Sequence, residues 1–197
     1  MSLIPAFEIG LWNAWILMLV DAVTMPLFIR IARGRGTPSP SATLAKMSRS
    51  RKVIVYASKL IYIPAFVYSV FLPLKLGTAW FYVGLPIAIV GLVMSKVVLA
   101  NWAMAPPDKP VTRGLYRYSR HPMYVAAFIS FLGISIATAS WVFLVFTIVI
   151  TALSFYFAPL EEQACLEQYG DSYRDYMKRT PRFLGMPKGM IQDETAS

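Results

Sequence analysis

PMYVAAFISFLGISIATASWVFLVFTIVITALSFYFAPL, from Pro122 to Leu160, is a run of 39 residues without one Asp, Glu, Lys, Arg or His. As a single helix it would be about 58 Å long, nearly twice the roughly 30 Å of a bilayer's hydrocarbon core. It is therefore expected to fold back on itself, and Thr138-Ala139-Ser140 is the predicted turn. Each arm is slightly short for a span, so local thinning of the bilayer or packing with little tilt is expected.

Working outward, further apolar runs extend from Ile9 to Ile29, interrupted by Asp21, and from Val53 to Leu74, interrupted by Lys59. A third runs from Ala79 to Met104, interrupted by Lys96. The pattern predicts an all-α integral membrane protein with five transmembrane helices, at about 9–29, 53–74, 79–104, 122–138 and 140–158. A C-terminal cytosolic amphipathic helix follows, and residues 1–197 form a single membrane domain. Composition agrees: 57% of the 197 residues are hydrophobic and 15% charged, with a mean hydropathy of +0.54. Soluble domains carry about 25% charged residues, so a water-soluble fold and a disordered chain are both excluded.

The net charge of +9 is clustered, not spread. Of 19 Lys and Arg, seven lie between Arg30 and Lys52, four between Lys109 and Arg120, and five from Arg174 onward. With five spans all three blocks fall on one side, as the positive-inside rule requires. This places the N-terminus outside and the C-terminus in the cytosol. It also accounts for the basic charge through lipid headgroups and topology, without nucleic acid. A single cysteine, Cys165, and a single histidine, His121, supply no metal-ligand set and no intramolecular disulfide. Within the spans, Lys59 and Lys96 are expected to snorkel to the inner interface. Asp21 is too short to do so, and it pairs with a lysine, stays protonated or lines a polar cavity. Pro26, Pro64, Pro86, Gly91 and Gly133 fit close helix packing in lipid.

The third inner loop differs from connecting sequence. APPDKPVTRGLYRYSRHPMY, residues 105–124, concentrates prolines, cations and tyrosines at a membrane border. Pro106, Pro107 and Pro110 preclude a regular helix and leave backbone groups free. Pro122 suits the first turn of the next span, so His121 stands at a helix N-terminus, whose unpaired N–H groups suit an anion. The hairpin returns Glu161 and Glu162 to the same side. A ligand with both an ammonium and a carboxylate could bridge the two groups. Leu166, Tyr169, Tyr173 and Tyr176 or Met177 then form an apolar stripe at helical spacing, read as an amphipathic helix on the inner face.

The ordered pair GLYRYSRHPMY, residues 114–124, and EE…YGDSYRDYMKRTP, residues 161–162 and 169–181, resembles the isoprenylcysteine carboxyl methyltransferase family. The resemblance covers residues 101–181 and implies an integral membrane enzyme that uses S-adenosylmethionine without a Rossmann domain, releasing S-adenosylhomocysteine. It implies cofactor contacts from Asn101, from Lys109, Pro110 and Val111 through their backbone, from Tyr116, and from His121, Pro122, Met123 and Tyr124. A carboxylate of the Glu161–Glu162 pair would take the cofactor's amino group. The implied acceptor is an isoprenylcysteine-like carboxylate entering laterally from membrane lipid. Eukaryotic members place an arginine shortly before the Glu pair, whereas SFYFAP at 154–159 has none, so Arg113, Arg117 and Arg120 are the candidates for positioning the substrate. The catalytic residue itself is left unassigned. Two other readings stand beside this one: N-methylation of a phospholipid or other lipophilic amine, and a non-enzymatic small transporter or scaffold.

Overall fold

A computed structural model describes residues 7–34, 60, 62–106 and 108–186. Within them the chain forms α1 (Trp15–Gly34), α2 (Tyr62–Val70), α3 (Ala79–Ala103), a 3-10 turn (Gly114–Arg117), α4 (Pro122–Ala137), α5 (Trp141–Tyr169) and α6 (Asp171–Arg179). No strand is present among these residues, only an isolated bridge between Asn13 and Pro73.

The uncharged stretch is the α4–α5 hairpin, and it turns at Thr138-Ala139-Ser140. Thr138 Oγ1 donates back to the Ile134 carbonyl at 2.7 Å, and Ala139 takes the left-handed conformation at φ 49°. The Ser140 hydroxyl then accepts the Phe143 N–H at 3.2 Å and starts α5. Ser135 and Thr147 hydrogen-bond across the hairpin at 3.1 Å, satisfying two hydroxyls that lipid could not.

Against α4 lies α3, in backbone-to-backbone contact. A methyl group on Gly84 would overlap the Ala137 backbone, one on Gly91 the Ser130 backbone, and one on Gly133 the Ala88 backbone. Without a hydrophobic driving force between helices in lipid, such close approach gains the dispersion contacts that hold them together.

At one end of the bundle the segment before α1 pairs with the segment after α2. Asn13 Nδ2 donates to the carbonyls of Glu8 at 2.6 Å and Val70 at 2.8 Å. Ala14 N–H reaches the Leu72 carbonyl at 2.9 Å, and Lys75 N–H reaches Ala137 at 3.0 Å. The start of α1, the end of α2 and the α4–α5 turn therefore share one end. The ends of α1, α3 and α5 share the other with the start of α4.

Several boundaries differ from expectation. The first helix begins at Trp15, not residue 9, because the preceding residues spend their backbone bonds on the segment at 70–74. It continues past Arg30 to Gly34. The second ends at Val70, not 74, for the same reason. The part of that span at 53–59, Lys59 included, lies outside the described residues. The third, Ala79–Ala103, matches its expected bounds within one residue. Helices α1, α3 and α5 are long and apolar enough to cross a membrane. Helix α4 has 16 residues, about 24 Å, so the described residues carry three such helices where five spans were expected. Helix α5 also runs through Pro159 to Tyr169 instead of ending near 158. Proline removes one donor there, a loss neighbouring groups in a membrane bundle tolerate.

Lys96 does not snorkel. Its ammonium ion-pairs with Asp21, and the Ser95 hydroxyl donates to the same carboxylate at 2.9 Å. Pairing at depth is less costly than leaving either charge alone. The expected amphipathic helix is split: Leu166 and Tyr169 belong to α5, and Gly170, at φ +57°, separates them from Tyr173 and Tyr176 on α6. Both α6 tyrosines are buried.

Candidate functional site

His121 is the N-cap residue of α4, with Pro122 at the first helical position. Its N–H is taken by the Ser119 hydroxyl at 3.1 Å and the Arg182 carbonyl at 3.1 Å. The last turns of α5 bring Glu161 and Glu162 alongside. Adjacent residues on a helix point about 100° apart, so the two acids face different surroundings: Glu162 is 3% exposed and Glu161 is 47%.

The imidazole lies between them. Nδ1 is 3.4 Å from Glu161 Oε2 and Nε2 is 3.3 Å from Glu162 Oε1. Burial on its own would lower the His121 pKa, but the hydrogen bonds to the Glu161 and Glu162 carboxylates outweigh it and hold the pKa above the ordinary 6.5. Tyr124, one turn on, donates its hydroxyl to Glu161 Oε1 at 2.7 Å. Its ring lies parallel to His121 with centroids 5.6 Å apart.

Glu162 is fully engaged. Arg120 Nε is 3.2 Å from Oε1, and Arg182 grips both oxygens, with Nη2 at 2.8 Å from Oε2 and Nε at 3.1 Å from Oε1. Such a bidentate pair compensates a carboxylate buried almost completely. Among the described residues Glu161 carries only the tyrosine hydroxyl and one imidazole edge. Of the pair, Glu161 is the acid with acceptor capacity left.

Arg182 and Phe183 were not read from sequence as site residues. After α6 the chain crosses back over the site as a strap. Arg120 N–H donates to the Pro181 carbonyl at 3.0 Å, and Phe183 sits 6.0 Å from the His121 ring and 4.4 Å from Phe155. Tyr176 anchors α6 by donating to the Tyr116 carbonyl at 2.7 Å. The only signal in the sequence is that Arg182 directly follows the Thr-Pro ending the second motif. A partner 20 residues from its acid leaves no periodic trace.

The remaining expected residues surround this core less tightly. Asn101, in the last turn of α3, packs against Gly114, whose φ of +60° and lack of a side chain both matter, since a Cβ there would overlap the Asn101 amide. The Asn101 Nδ2 is buried and has no hydrogen-bond partner among the described residues. Lys109, Pro110 and Val111 make no backbone hydrogen bonds among the described residues. The Tyr116 phenol is held well above its usual pKa, first by burial and then by the Glu161 charge. Met123 is half-buried on the first turn of α4. Of the three arginine candidates, Arg120 is committed to Glu162 and Arg113 donates to the Met104 carbonyl. Arg117 is exposed. Among the described residues, no group of three or more His, Cys, Asp or Glu could hold a metal.

An all-helical chain with helices apolar enough to cross a membrane, and an acid–histidine–tyrosine cluster where those helices end, defines a membrane protein with a polar site at the edge of its bundle. The chain belongs to the phospholipid methyltransferase family, whose model matches residues 72–172, about half of it. That stretch contains α3, α4, α5 and the His121–Glu162 pair, and it stops short of Arg182. The chain is 35% identical over 80 residues to methanethiol S-methyltransferase 1 of Bradyrhizobium diazoefficiens, a match covering 41% of this chain and 27% of that protein. It is 38% identical over 72 residues to protein-S-isoprenylcysteine O-methyltransferase of Schizosaccharomyces pombe, covering 36% of this chain and 30% of that one. The chain thus spans less than a third of the length of either relative.

Proposed function

We propose that this chain transfers a methyl group from S-adenosylmethionine to a lipophilic acceptor at the cytosolic edge of a membrane. The observation that carries this reading is the convergence of His121, Tyr124 and Glu161 at the start of α4 and the end of α5, within the stretch the family defines. Bound there, the cofactor supplies an electrophilic methyl group on a sulfonium.

The residues fit such a group. Glu161 keeps a half-exposed carboxylate for an ammonium, and the orphaned Asn101 amide donates to a carbonyl or hydroxyl oxygen. The backbone at 109–111, which makes no backbone hydrogen bond among the described residues, offers further carbonyl and N–H contacts from Lys109 and Val111. His121 and Tyr124 fix the Glu161 carboxylate in place, and the Phe183 ring screens the imidazole from water. Orientation and exclusion of water then carry the chemistry.

The finer reading is carboxyl methylation of an isoprenylcysteine-like molecule, supported by the paired motifs and by the yeast relative's activity. A carboxylate is already ionised at neutral pH and needs no general base. N-methylation of a lipophilic amine is the second reading. A specific observation favours it: Arg182 is hydrogen-bonded to Glu162, Arg120 lies 3.2 Å from the same carboxylate, and Arg113 donates to a carbonyl, so of the three candidate arginines Arg117 alone makes no such contact among the described residues. The test is methyl transfer from labelled S-adenosylmethionine by the full chain to a farnesylcysteine acid and to a lipid amine. Transfer to the acid supports the first reading and transfer to the amine the second. Transfer to neither, by folded protein that binds no cofactor, would overturn both.

A further inference from the structure

Both ring nitrogens of His121 face carboxylates. Nδ1 is 3.4 Å from Glu161 Oε2 and Nε2 is 3.3 Å from Glu162 Oε1. An ionised carboxylate only accepts hydrogen bonds, and a neutral imidazole carries a single N–H. A neutral ring would therefore turn a lone pair against a negative oxygen. Both contacts are satisfied at once by the imidazolium, with a proton on each nitrogen. Burial opposes that charge, but the two carboxylates outweigh it and hold the His121 pKa above its ordinary 6.5.

The two protons are not equally secure. Glu162 is 3% exposed and is bound by two guanidinium groups, Arg120 Nε at 3.2 Å and Arg182 Nη2 at 2.8 Å, so an incoming ligand finds it closed. Glu161 is half-exposed, and besides the imidazole it accepts only the Tyr124 hydroxyl among the described residues. A ligand can change the surroundings of Nδ1 and not those of Nε2.

The cluster sets two carboxylates, Glu161 and Glu162, against three cations, Arg120, Arg182 and His121. The arginines stay charged at any working pH, so His121 is the cation that can be given up. Among the described residues the other titratable groups that sense the Glu161 or Glu162 charge are Cys165 and the phenols of Tyr62, Tyr116, Tyr124, Tyr173 and Tyr176. Thiols and phenols ordinarily titrate near 8.5 and 10, above the histidine range, and stay neutral through it. A cationic group arriving at Glu161 meets the Nδ1 proton already there, and loss of that proton restores the local charge one for one. An anion at the same corner would act in the opposite sense and hold the proton. The His121 N–H is not open to one, because the Ser119 hydroxyl and the Arg182 carbonyl each take it at 3.1 Å.

We propose that His121 is an exchangeable counter-cation, which holds Glu161 as an imidazolium in the free protein and gives up its Nδ1 proton when a ligand's ammonium takes that carboxylate. This rests on the methyltransferase reading, in which the ammonium is the cofactor's, and it makes cofactor affinity rise with pH. In the step the Nδ1–H bond breaks, its electron pair stays on nitrogen, and the proton passes to solvent beside the half-exposed Glu161. Nε2 keeps its proton toward Glu162. The freed Nδ1 lone pair becomes a second acceptor next to Glu161, matched to a donor that carries three N–H groups.

The test is calorimetric titration of the detergent-purified full chain with S-adenosylhomocysteine, at fixed pH in buffers of different ionisation enthalpy, which counts the protons released on binding. At about pH 6, below the ordinary histidine value, close to one proton is expected to leave per ligand bound. The dissociation constant should fall about ten-fold per pH unit between about pH 5.5 and 6.5, the slope of one linked proton, and level off as pH rises through the folded value. His121→Gln, which keeps an N–H donor but does not titrate, should bind with no released proton and no such slope. If the variant fails to fold, the proton count of the wild-type protein still decides. Binding by the wild type with no proton released, binding with proton uptake, or the same count in folded His121→Gln would each overturn the proposal. Folded wild-type protein that binds no S-adenosylhomocysteine would instead overturn the reading beneath it.

Discussion

At the α3–α4 seam, Gly84, Gly91 and Gly133 bring backbone against backbone, and the buried residues around them are small or apolar. Beyond the start of α4, Arg120, His121 and Arg182 converge on one buried carboxylate. The first region is held by shape alone and has room for nothing more. The second gathers charges that a bundle selected for stability alone would replace with hydrocarbon, because a buried ion pair often adds no net stability over a well-packed apolar substitute. What the contrast teaches is that the seam is held by close packing and the cluster by charge, the arrangement that the proposed methyl transfer would use.

The largest effect that would break this contrast is expected at the seam. Gly91→Leu drives a side chain into the Ser130 backbone, and overpacking costs more than its usual range of about 1–3 kcal/mol when backbone itself must move. We expect no folded monomer by size-exclusion chromatography in detergent; a monodisperse variant with native thermal stability would show that the helices are not in contact there. At the cluster, Glu162→Gln should cost up to about 3 kcal/mol, the low end for breaking a buried pair, since Arg182 is 42% exposed and regains water. Thermal unfolding would measure it, and an unchanged midpoint would remove Glu162 as the anchor of the strap.

A smaller effect follows from His121. Its folded pKa is raised above the ordinary 6.5 by the two carboxylates. The stability it contributes is therefore fully present below about pH 6.5 and lost as pH rises through the folded value. His121→Gln should flatten the unfolding midpoint across that alkaline limb, and an identical pH profile would mean that the imidazole does not bridge the acids. Least affected should be the ion pair at depth. Asp21→Asn combined with Lys96→Met should stay within about 1 kcal/mol of the parent, whereas Asp21→Asn alone, leaving an unpaired ammonium, should cost more. Equal stabilities for the two variants would indicate that the pair is not coupled.

The same contrast marks what the sequence made legible. The hairpin was readable because 39 uncharged residues cannot cross once, and Thr138-Ala139-Ser140 has the small polar residues a turn in lipid needs. Gly91 and Gly133 were readable as packing positions. The approach of His121 to Glu161 and Glu162 followed from the hairpin geometry. The distinct duties of the two acids were not readable, because they depend on a 100° rotation and on Arg182, which lies beyond the recognisable motif. The partner of Asp21 was open for a similar reason, since nothing local to residue 21 points to residue 96.

The central claim is that Glu161, half-exposed and fixed by Tyr124 and His121, receives the cofactor's ammonium. Calorimetric titration of the detergent-purified chain and its Glu161→Gln variant with S-adenosylhomocysteine tests it directly. The account predicts saturable one-site binding that weakens about ten-fold or more in the variant, the worth of a charge-assisted hydrogen bond, with little change in unfolding midpoint. No binding by folded wild-type protein, or equal affinity in the variant, would contradict it.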